Sequence, residues 1–230
     1  MRPIYLGLER SEGRVEPADP EKVLCMISGG MDSAVASYML LRKGFTPIFL
    51  CFDIQPYVDR GRRTALQVAM RLGSYLPERR VRMYVVPHGR SLEAIISRCP
   101  RSLTCVICRR MMFRKAERVA EREGAAAIAT GESLGQKASQ TLVNLQVTAG
   151  ALKNLPILRP LIGMDKEEAE AVAREIGVYD LATRASCTAS PKRPATKARL
   201  KDVVKAEGGL DVEGLVEQDL SRLDVIDVSV

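Results

Sequence analysis

The sequence predicts an α/β domain built on a parallel β-sheet with helices on both faces. Short apolar runs, of the length of buried strands, alternate along the chain with segments whose apolar residues recur at helical spacing. Polar or glycine-rich turns follow several of these apolar runs directly. Strands that alternate with helices form right-handed βαβ units and therefore a parallel sheet. Ligands of such sheets bind beyond the carboxyl ends of the strands.

The first predicted strand covers residues 23–27, and its five apolar residues end abruptly in Ser28, Gly29 and Gly30. The two glycines permit a tight turn and a close approach of backbone N–H groups to a ligand. Ser33 is expected to open the first helix, whose first N–H groups lack partners within the helix. Together these features predict an anion site. An ordinary strand-to-helix turn is the alternative interpretation.

The remaining elements follow in alternation. We predict further strands at 46–53, 81–86, 125–130 and 156–162, and helices at 33–43, 62–76, 91–98, 108–123, 139–147 and 165–176. Asp53 ends the second strand with a carboxylate and is counted among the nucleotide-binding candidates. In the helix at 108–123, the expected solvent-facing residues are Arg110, Arg114, Glu117 and Glu121.

Three segments divide the chain. Residues 1–20 are predicted to be a lead-in with a short edge strand at 4–6, residues 21–182 the nucleotide-binding domain, and residues 183–230 a basic loop with a partly helical tail. The positive charges of that last segment could meet RNA phosphates, or the segment could be an ordinary solvated loop. They are Arg184, Lys192, Arg193, Lys197, Arg199 and Lys201.

Composition narrows the function classes. The 230 residues carry a formal net charge of +7, which suits an enzyme that acts on a polyanion. Aromatic content is 4% and Trp is absent, which argues against stacking platforms for single-stranded nucleic acid. We expect no signal peptide and no membrane span. Six scattered cysteines without a secretory signature indicate a reducing cytoplasm.

The motif Ser-Gly-Gly-x-Asp-Ser at 28–33 resembles the pyrophosphate loop of the PP-loop ATP pyrophosphatases. Further blocks at 108–112, 130–145 and 158–166 resemble, in the same order, the catalytic domain of the tRNA 4-thiouridine synthetase (ThiI) family, which is also linked to thiamine biosynthesis. The likeness runs from about residue 23 to about residue 197. It implies a Rossmann-like PP-loop fold with five parallel strands in the order 3-2-1-4-5.

The resemblance implies a reaction and its residues. Such an enzyme uses ATP and Mg²⁺ to adenylate O4 of a uridine, at position 8 of tRNA, and sulfur then displaces AMP. Asp32 matches the family's loop aspartate. Gly131, Glu132 and Gln136 match its second nucleotide-side segment, although loop capping would also explain Glu132 and Gln136.

Sulfur delivery is where this chain departs from the family's best-known members. We expect neither a rhodanese domain nor a THUMP-type RNA-binding region here, so either a separate subunit recognises the RNA or the substrate is not tRNA; an oligomer is possible. Cys187 matches the catalytic-domain cysteine. With Cys105 and Cys108 it could hold a [4Fe–4S] cluster whose open iron binds sulfide. Zinc with Cys99 as a fourth ligand, persulfide or dithiol chemistry, and a purely structural pair are the alternatives.

Two other functions and one further residue stay open. The chain could thiolate a small molecule such as a thiamine thiazole precursor, or it could be a non-catalytic subunit that binds ATP or AMP. His88 follows the third predicted strand and could be a catalytic base, or simply a hydrogen-bonded histidine in a turn.

Overall fold

The computed structural model describes residues 21–59, 61–137, 139–182 and 187–230. The predicted lead-in and Arg184 lie outside these described residues. The strands are β1 Lys22–Met26, β2 Thr46–Asp53, β3 Arg80–Pro87, β4 Ala127–Ala129, β5 Ile157–Leu158 and β6 Asp224–Ser229. They form one sheet in the order β5-β4-β1-β2-β3-β6.

The sheet confirms the predicted parallel core in the order 3-2-1-4-5, but the prediction of five strands is wrong. The sixth strand, β6, pairs antiparallel with β3, from Arg80 opposite Ser229 to Val85 opposite Asp224. From Val225 onwards, alternate residues of β6 are exposed, as expected for a strand with one solvent-exposed face. That alternation is short, and the tail before it has helical spacing, so the strand escaped the sequence prediction.

The central strand β1 is covered on both faces. Val23, Cys25 and Ile27 pack into the core on one side of the sheet. Leu24 and Met26 pack into the core on the other. An apolar run without alternation is the pattern expected for such a strand. The carboxyl end of β1 is therefore a fixed platform for the loop that follows.

Eight helices surround the sheet in the described part of the chain. They are α1 Met31–Arg42, α2 Gly61–Gly73, α3 Gly89–Arg98, α4 Thr104–Glu123, α5 Leu142–Ala149, α6 Lys166–Glu175, α7 Leu200–Glu207 and α8 Val212–Leu220. Helix α6 begins as predicted, with the Asp165 N–H donating to Glu168 Oε2 at 3.0 Å. Helix α4 begins four residues earlier than predicted, so Cys105 and Cys108 both lie in its first turns. No helix among the described residues is long and apolar enough to cross a bilayer.

The polar face of α4 corrects one prediction. Arg110 and Glu117, expected to face solvent, are only 3% and 6% exposed. Arg110 binds Glu207 of α7 through Nε at 2.8 Å and Nη2 at 3.0 Å, and Arg114 binds the same carboxylate at 2.8 Å. Glu117 accepts from three backbone N–H groups, among them Asn154 at 2.8 Å. Helix α7 and the chain after α5 therefore cover part of the surface that the sequence pattern predicted to face solvent.

Candidate active site

The phosphate loop lies between β1 and α1. Gly29 has φ of +74°, which a side chain rarely adopts, and a Cβ there would come within 3.0 Å of Thr64. Helix α1 begins at Met31 with Gly30 as its N-cap, so the prediction that Ser33 opens the helix is wrong. No side chain caps this end, and the first N–H groups therefore face the loop.

The two serines of the loop hold its shape. Ser33 Oγ donates to the Gly30 carbonyl at 2.9 Å and accepts from the Ser28 N–H at 3.1 Å. Ser28 Oγ accepts from the Gly30 N–H at 3.3 Å. The Ser33 hydroxyl and the N–H groups of Ser28 and Gly30 are thus used inside the loop, so the first N–H groups of α1 are the main donors left for an anion.

The second segment packs directly against this loop. A Cβ at Gly131 would lie 2.4 Å from the Asp32 carbonyl carbon and from the Ser33 nitrogen, so only glycine fits there. The neighbouring Glu132 is buried and binds Arg159 at 2.9 Å and Arg109 at 3.4 Å. Glu132 thereby ties helix α4 to the loop after β4. Its predicted contact with nucleotide stays a prediction.

Asp32 carries the loop's negative charge. Burial raises the pKa of its carboxyl, and the ammonium groups of Lys137 and Lys166 oppose that shift. All three side chains line one cavity. The two ammonium groups outnumber the single carboxylate, so the cavity near Asp32 carries an excess of positive charge that favours an anionic ligand.

A cavity of about 940 Å³ brings most of the predicted site residues together. Those that line it are Ser28, Gly30, Asp32, Ser33, Cys105, Cys108, Gly131, Glu132, Gln136 and Cys187. Asp53 does not line it, because its carboxylate turns back to accept from the Gln55 N–H at 3.2 Å. Gly29 does not line the cavity either, because it packs against Thr64 and Ala65 of α2. The phosphate loop and the three cysteines therefore line the same cavity.

The Cys187 segment is tied to the rest of the site. The Thr188 N–H donates to the Tyr57 carbonyl at 3.0 Å, and Arg101 Nη2 donates to the Ala189 carbonyl at 3.2 Å. Burial raises the pKa of the Cys105 thiol, a hydrogen bond with Ser190 lowers it, and the nearby Cys187 raises it. Residues distant in sequence are thus brought beside the first turn of α4.

The thiol groups of Cys105, Cys108 and Cys187 are suitable metal ligands, but they are not arranged around a common point. Thiolates are the ligands of iron–sulfur clusters and of structural zinc. Within residues 21–59, 61–137, 139–182 and 187–230, however, no three Cys, His, Asp or Glu side chains converge as metal ligands. All six cysteines are free thiols. The [4Fe–4S] cluster and its zinc alternative stay predictions, and no step below passes through them.

His88 is held in a buried network behind Cys108. Its Nδ1 lies 2.8 Å from Lys115 Nζ, and its Nε2 lies 3.2 Å from Cys108 Sγ. Burial, then Lys115 and Arg109, lower the pKa of His88 well below its usual value, so the ring is neutral. An ammonium only donates, so Nδ1 accepts and Nε2 carries the proton. His88 therefore donates a hydrogen bond to the Cys108 sulfur. This agrees with the alternative interpretation of His88 as a hydrogen-bonded histidine in a turn.

The same network satisfies a buried charge pair. Lys115 Nζ donates to Asp219 Oδ2 of α8 at 2.6 Å and to Ser91 Oγ at 2.9 Å. Its third donor is used by His88, and Ser91 Oγ donates to Asp219 Oδ2 at 2.6 Å. Burial lowers the pKa of Lys115, and the carboxylate of Asp219 opposes that shift. The orientation of His88 thus depends on a helix near the C-terminus of the chain.

Comparison with known proteins decides the family. The family described as Thiamine biosynthesis protein (ThiI) matches residues 19–212. This chain belongs to the ThiI family.

Known relatives match most of the length of this chain. A "Probable tRNA sulfurtransferase" of Methanosarcina mazei is 36% identical over 226 residues, which are 97% of this chain and 56% of the relative. One of Moorella thermoacetica is 42% identical and is covered to 58%. A crystal structure of a 4-thiouridine synthetase–RNA complex with bound ATP has a TM-score of 0.85 and 31% identity, over 90% of this chain and 55% of that one. The chain spans about half the length of these relatives.

Sequence reasoning gave no role to several residues that line the site. Lys137, Lys166, Thr104 and Gln140 all line the cavity. Lys137 and Gln140 lie inside the block at 130–145, Lys166 ends the block at 158–166, and Thr104 directly precedes Cys105, but none of the four was assigned a role. Their orientation depends on the loops, so spacing alone could not separate them from solvent-exposed neighbours.

Proposed function

We propose that this chain catalyses an ATP-dependent tRNA thiolation, in which O4 of a uridine is adenylated and then replaced by sulfur. One observation carries the proposal: a single cavity is lined both by the phosphate loop and by the three cysteines. A carbonyl oxygen is a poor leaving group, whereas AMP is a good one. A thiolation enzyme of this kind needs a nucleotide site and a sulfur site within reach of one atom.

The phosphate end supports the first step. Backbone N–H groups of the loop and of the first turn of α1 would bind the β- and γ-phosphates. Lys137 and Lys166 would neutralise charge that develops as O4 attacks the α-phosphorus and pyrophosphate leaves. Asp32 would hold Mg²⁺ against the phosphates, since Mg²⁺ binds through one or two carboxylates plus substrate oxygens.

The cysteine end supports the second step. A sulfide sulfur attacks C4, the C4–O4 bond breaks, and AMP leaves with the oxygen. With a cysteine persulfide as donor, the outer sulfur attacks in the same way, and a second cysteine thiolate then attacks the inner sulfur, which breaks the S–S bond, forms a disulfide and leaves the outer sulfur on C4. Cys105, Cys108 and Cys187 are the groups that would receive or present that sulfur. The exposed positive charges of Lys192, Arg193 and neighbouring residues after Cys187 would meet tRNA phosphates, alone or beside a separate RNA-binding subunit. Six free thiols agree with action in the cytoplasm.

A reconstitution assay tests the proposal. The protein is incubated with ATP, Mg²⁺, sulfide and unmodified tRNA, and both pyrophosphate and 4-thiouridine are measured. We expect both products from the wild type and neither from Asp32→Ala, while the exposed control Glu78→Ala stays active. Pyrophosphate without RNA would favour small-molecule thiolation. Tight ATP binding without turnover, with or without a THUMP-containing partner, would make the chain a binding subunit.

The metal state needs its own experiment. Anaerobic purification followed by iron, sulfide and zinc analysis compares the wild type with Cys105→Ala, Cys108→Ala and Cys187→Ala. Iron and sulfide that all three variants lose would support the cluster. Zinc that Cys99→Ala also loses would support the four-thiolate site. A metal-free wild type with full activity would favour persulfide chemistry.

A further inference from the structure

A buried chain of polar groups ends on the sulfur of Cys108. His88 Nε2 lies 3.2 Å from Cys108 Sγ, and His88 Nδ1 lies 2.8 Å from Lys115 Nζ. Lys115 in turn donates to Asp219 Oδ2 at 2.6 Å and to Ser91 Oγ at 2.9 Å. Cys108 lines the cavity, whereas the other four residues are fully or almost fully buried outside it. The network therefore meets the cavity at the Cys108 sulfur.

The backbone and the ring of His88 are both held in place. The His88 N–H donates to the Asp53 carbonyl of β2 at 2.7 Å, and the His88 carbonyl accepts from the Leu92 N–H of α3 at 3.0 Å. The imidazole packs edge-on against the Phe52 ring, with 5.6 Å between the ring centroids. The imidazole is therefore held in one orientation, in which Nε2 points at Cys108.

The directions of the hydrogen bonds follow from the Lys115 ammonium group. An ammonium group has three donors and no acceptor, and the Asp219 carboxylate balances its charge. Nδ1 of His88 therefore accepts from Lys115, and the proton of the neutral ring is on Nε2, which donates to sulfur. Cys108 and Lys115 lie seven residues apart on α4, on the same face of that helix. One helix face thus carries both the acceptor and the group that orients the donor.

We propose that His88 is a positioning residue for sulfur transfer, because its Nε2–H group holds Cys108 Sγ at a fixed place in the cavity wall. This inference rests on the thiolation function proposed above and deepens it, since it names Cys108 as the sulfur that must be fixed. Cys105, one turn earlier on α4, interacts with Ser190 instead. A hydrogen bond to sulfur also strengthens when that sulfur carries negative charge. Adenylation does not involve Cys108, so His88 should act on the second step of the reaction.

A purely structural role for His88 is the alternative. Lys115 keeps Asp219 and Ser91 as partners without the imidazole, so the buried charge pair does not require His88. Packing against Phe52 requires a ring, but it does not require a proton on Nε2. The direction of Nε2 towards a sulfur of the cavity is therefore the feature that a structural role leaves unexplained.

Two substitutions of His88 separate these roles. His88→Phe keeps an aromatic ring against Phe52 and removes both nitrogens, whereas His88→Gln loses the ring but can offer an amide N–H to sulfur and an oxygen to Lys115. Single-turnover reactions, with enzyme in excess over tRNA and limiting sulfide, measure pyrophosphate release and 4-thiouridine formation separately. We expect His88→Phe to slow 4-thiouridine formation about tenfold or more and to keep the rate of pyrophosphate release within about twofold of the wild type. His88→Gln should recover part of the lost rate.

The opposite results would overturn the role of His88. Equal rates of 4-thiouridine formation in the wild type and His88→Phe would do so while the proposed function stands. An active His88→Phe beside an inactive His88→Gln would show that the ring serves packing alone. A parallel fall in both steps would show a general disturbance of the site and would also overturn the proposal. A wild type that releases pyrophosphate but forms no 4-thiouridine would instead refute the proposed function itself.

A second measurement detects the hydrogen bond without turnover. His88 is the only histidine among the 230 residues, so protein without a histidine tag, labelled with ¹⁵N-histidine, gives nuclear magnetic resonance signals from this ring alone. We expect a protonated Nε2 and an unprotonated Nδ1, which differ in ¹⁵N chemical shift. Cys108→Ala should shift the Nε2 resonance, whereas Cys187→Ala, which removes another thiol of the same cavity, should leave it in place. A proton on Nδ1, or equal shifts in both cysteine variants, would overturn the proposal.

Discussion

Gly131 is the residue of the active site where an added side chain would meet backbone atoms at the shortest distance. Gly131 lies against the backbone of Asp32 and Ser33, and an added Cβ would stand 2.4 Å from two of their atoms. Ordinary contact begins at 3.4 Å, so Gly131→Ala must drive the phosphate loop and the second segment apart by about 1 Å. Neither side can yield cheaply, because both contacts are backbone.

The expected cost follows from that displacement. A shift of about 1 Å in a group that positions a reacting phosphate costs roughly 100-fold in rate. We therefore expect Gly131→Ala to lower kcat/KM for pyrophosphate release by about that factor, with weakened ATP binding. Gly163→Ala is the matched control, because no atom lies within 4 Å of a Cβ at that glycine.

The assay measures tRNA-dependent pyrophosphate release at several ATP concentrations. Circular dichroism and a thermal scan establish that Gly131→Ala still folds. A folded Gly131→Ala protein with wild-type kinetics would refute the reasoning, because it would mean that the loop can move without loss of function.

Three further predictions concern charge and burial. Lys115→Met leaves the Asp219 carboxylate buried without its cation, so the free energy of unfolding, measured by urea denaturation, should fall by about 3–5 kcal/mol. The same substitution at exposed Lys201 should lower it by less than about 0.5 kcal/mol. Similar losses in both variants would contradict the buried network. Burial raises the pKa of the Glu207 carboxyl, but hydrogen bonds from two arginines outweigh it and lower the pKa below 4.5, so its stabilisation is complete above that value and is lost as pH falls. The stability advantage of the wild type over Glu207→Gln, measured by urea denaturation, should therefore shrink from about pH 5 to pH 3, and a constant difference would count against it. Burial raises the pKa of the Cys108 thiol to about 12, so its rate of alkylation, followed by peptide mass spectrometry, should rise about tenfold per pH unit from about pH 7 to pH 10; a plateau below about pH 9 would show an ordinary thiol.

Local signals predicted the parts of the fold that local physics controls. The apolar run at 23–27 has the length of a strand buried on both faces, and the two glycines after it favour a tight turn. The predicted second strand coincides with β2 at Thr46–Asp53. The order of the parallel core followed from the resemblance, and the sheet bears it out.

The errors share one cause, which is long-range packing. Arg110 and Glu117 have the spacing of a solvent-facing stripe, and only the arrival of α7 and of the chain after α5 buries them. The strand β6 exists because β3 offers a free edge. Asp53 stands at the expected edge of the sheet, where its carboxylate accepts from the Gln55 N–H, and its role in nucleotide binding stays a prediction.

By itself, the sequence determined an α/β sheet with an anion-binding turn after its first strand, and it named the three cysteines that reach the same cavity. Those features are encoded in neighbouring residues, whose backbone preferences and apolar periodicity act over a few positions. Only the tertiary structure decided that Cys187 lies near Cys105 and that His88 donates to Cys108. Such contacts join segments tens of residues apart, and they depend on how helices pack and loops close, which no local pattern records.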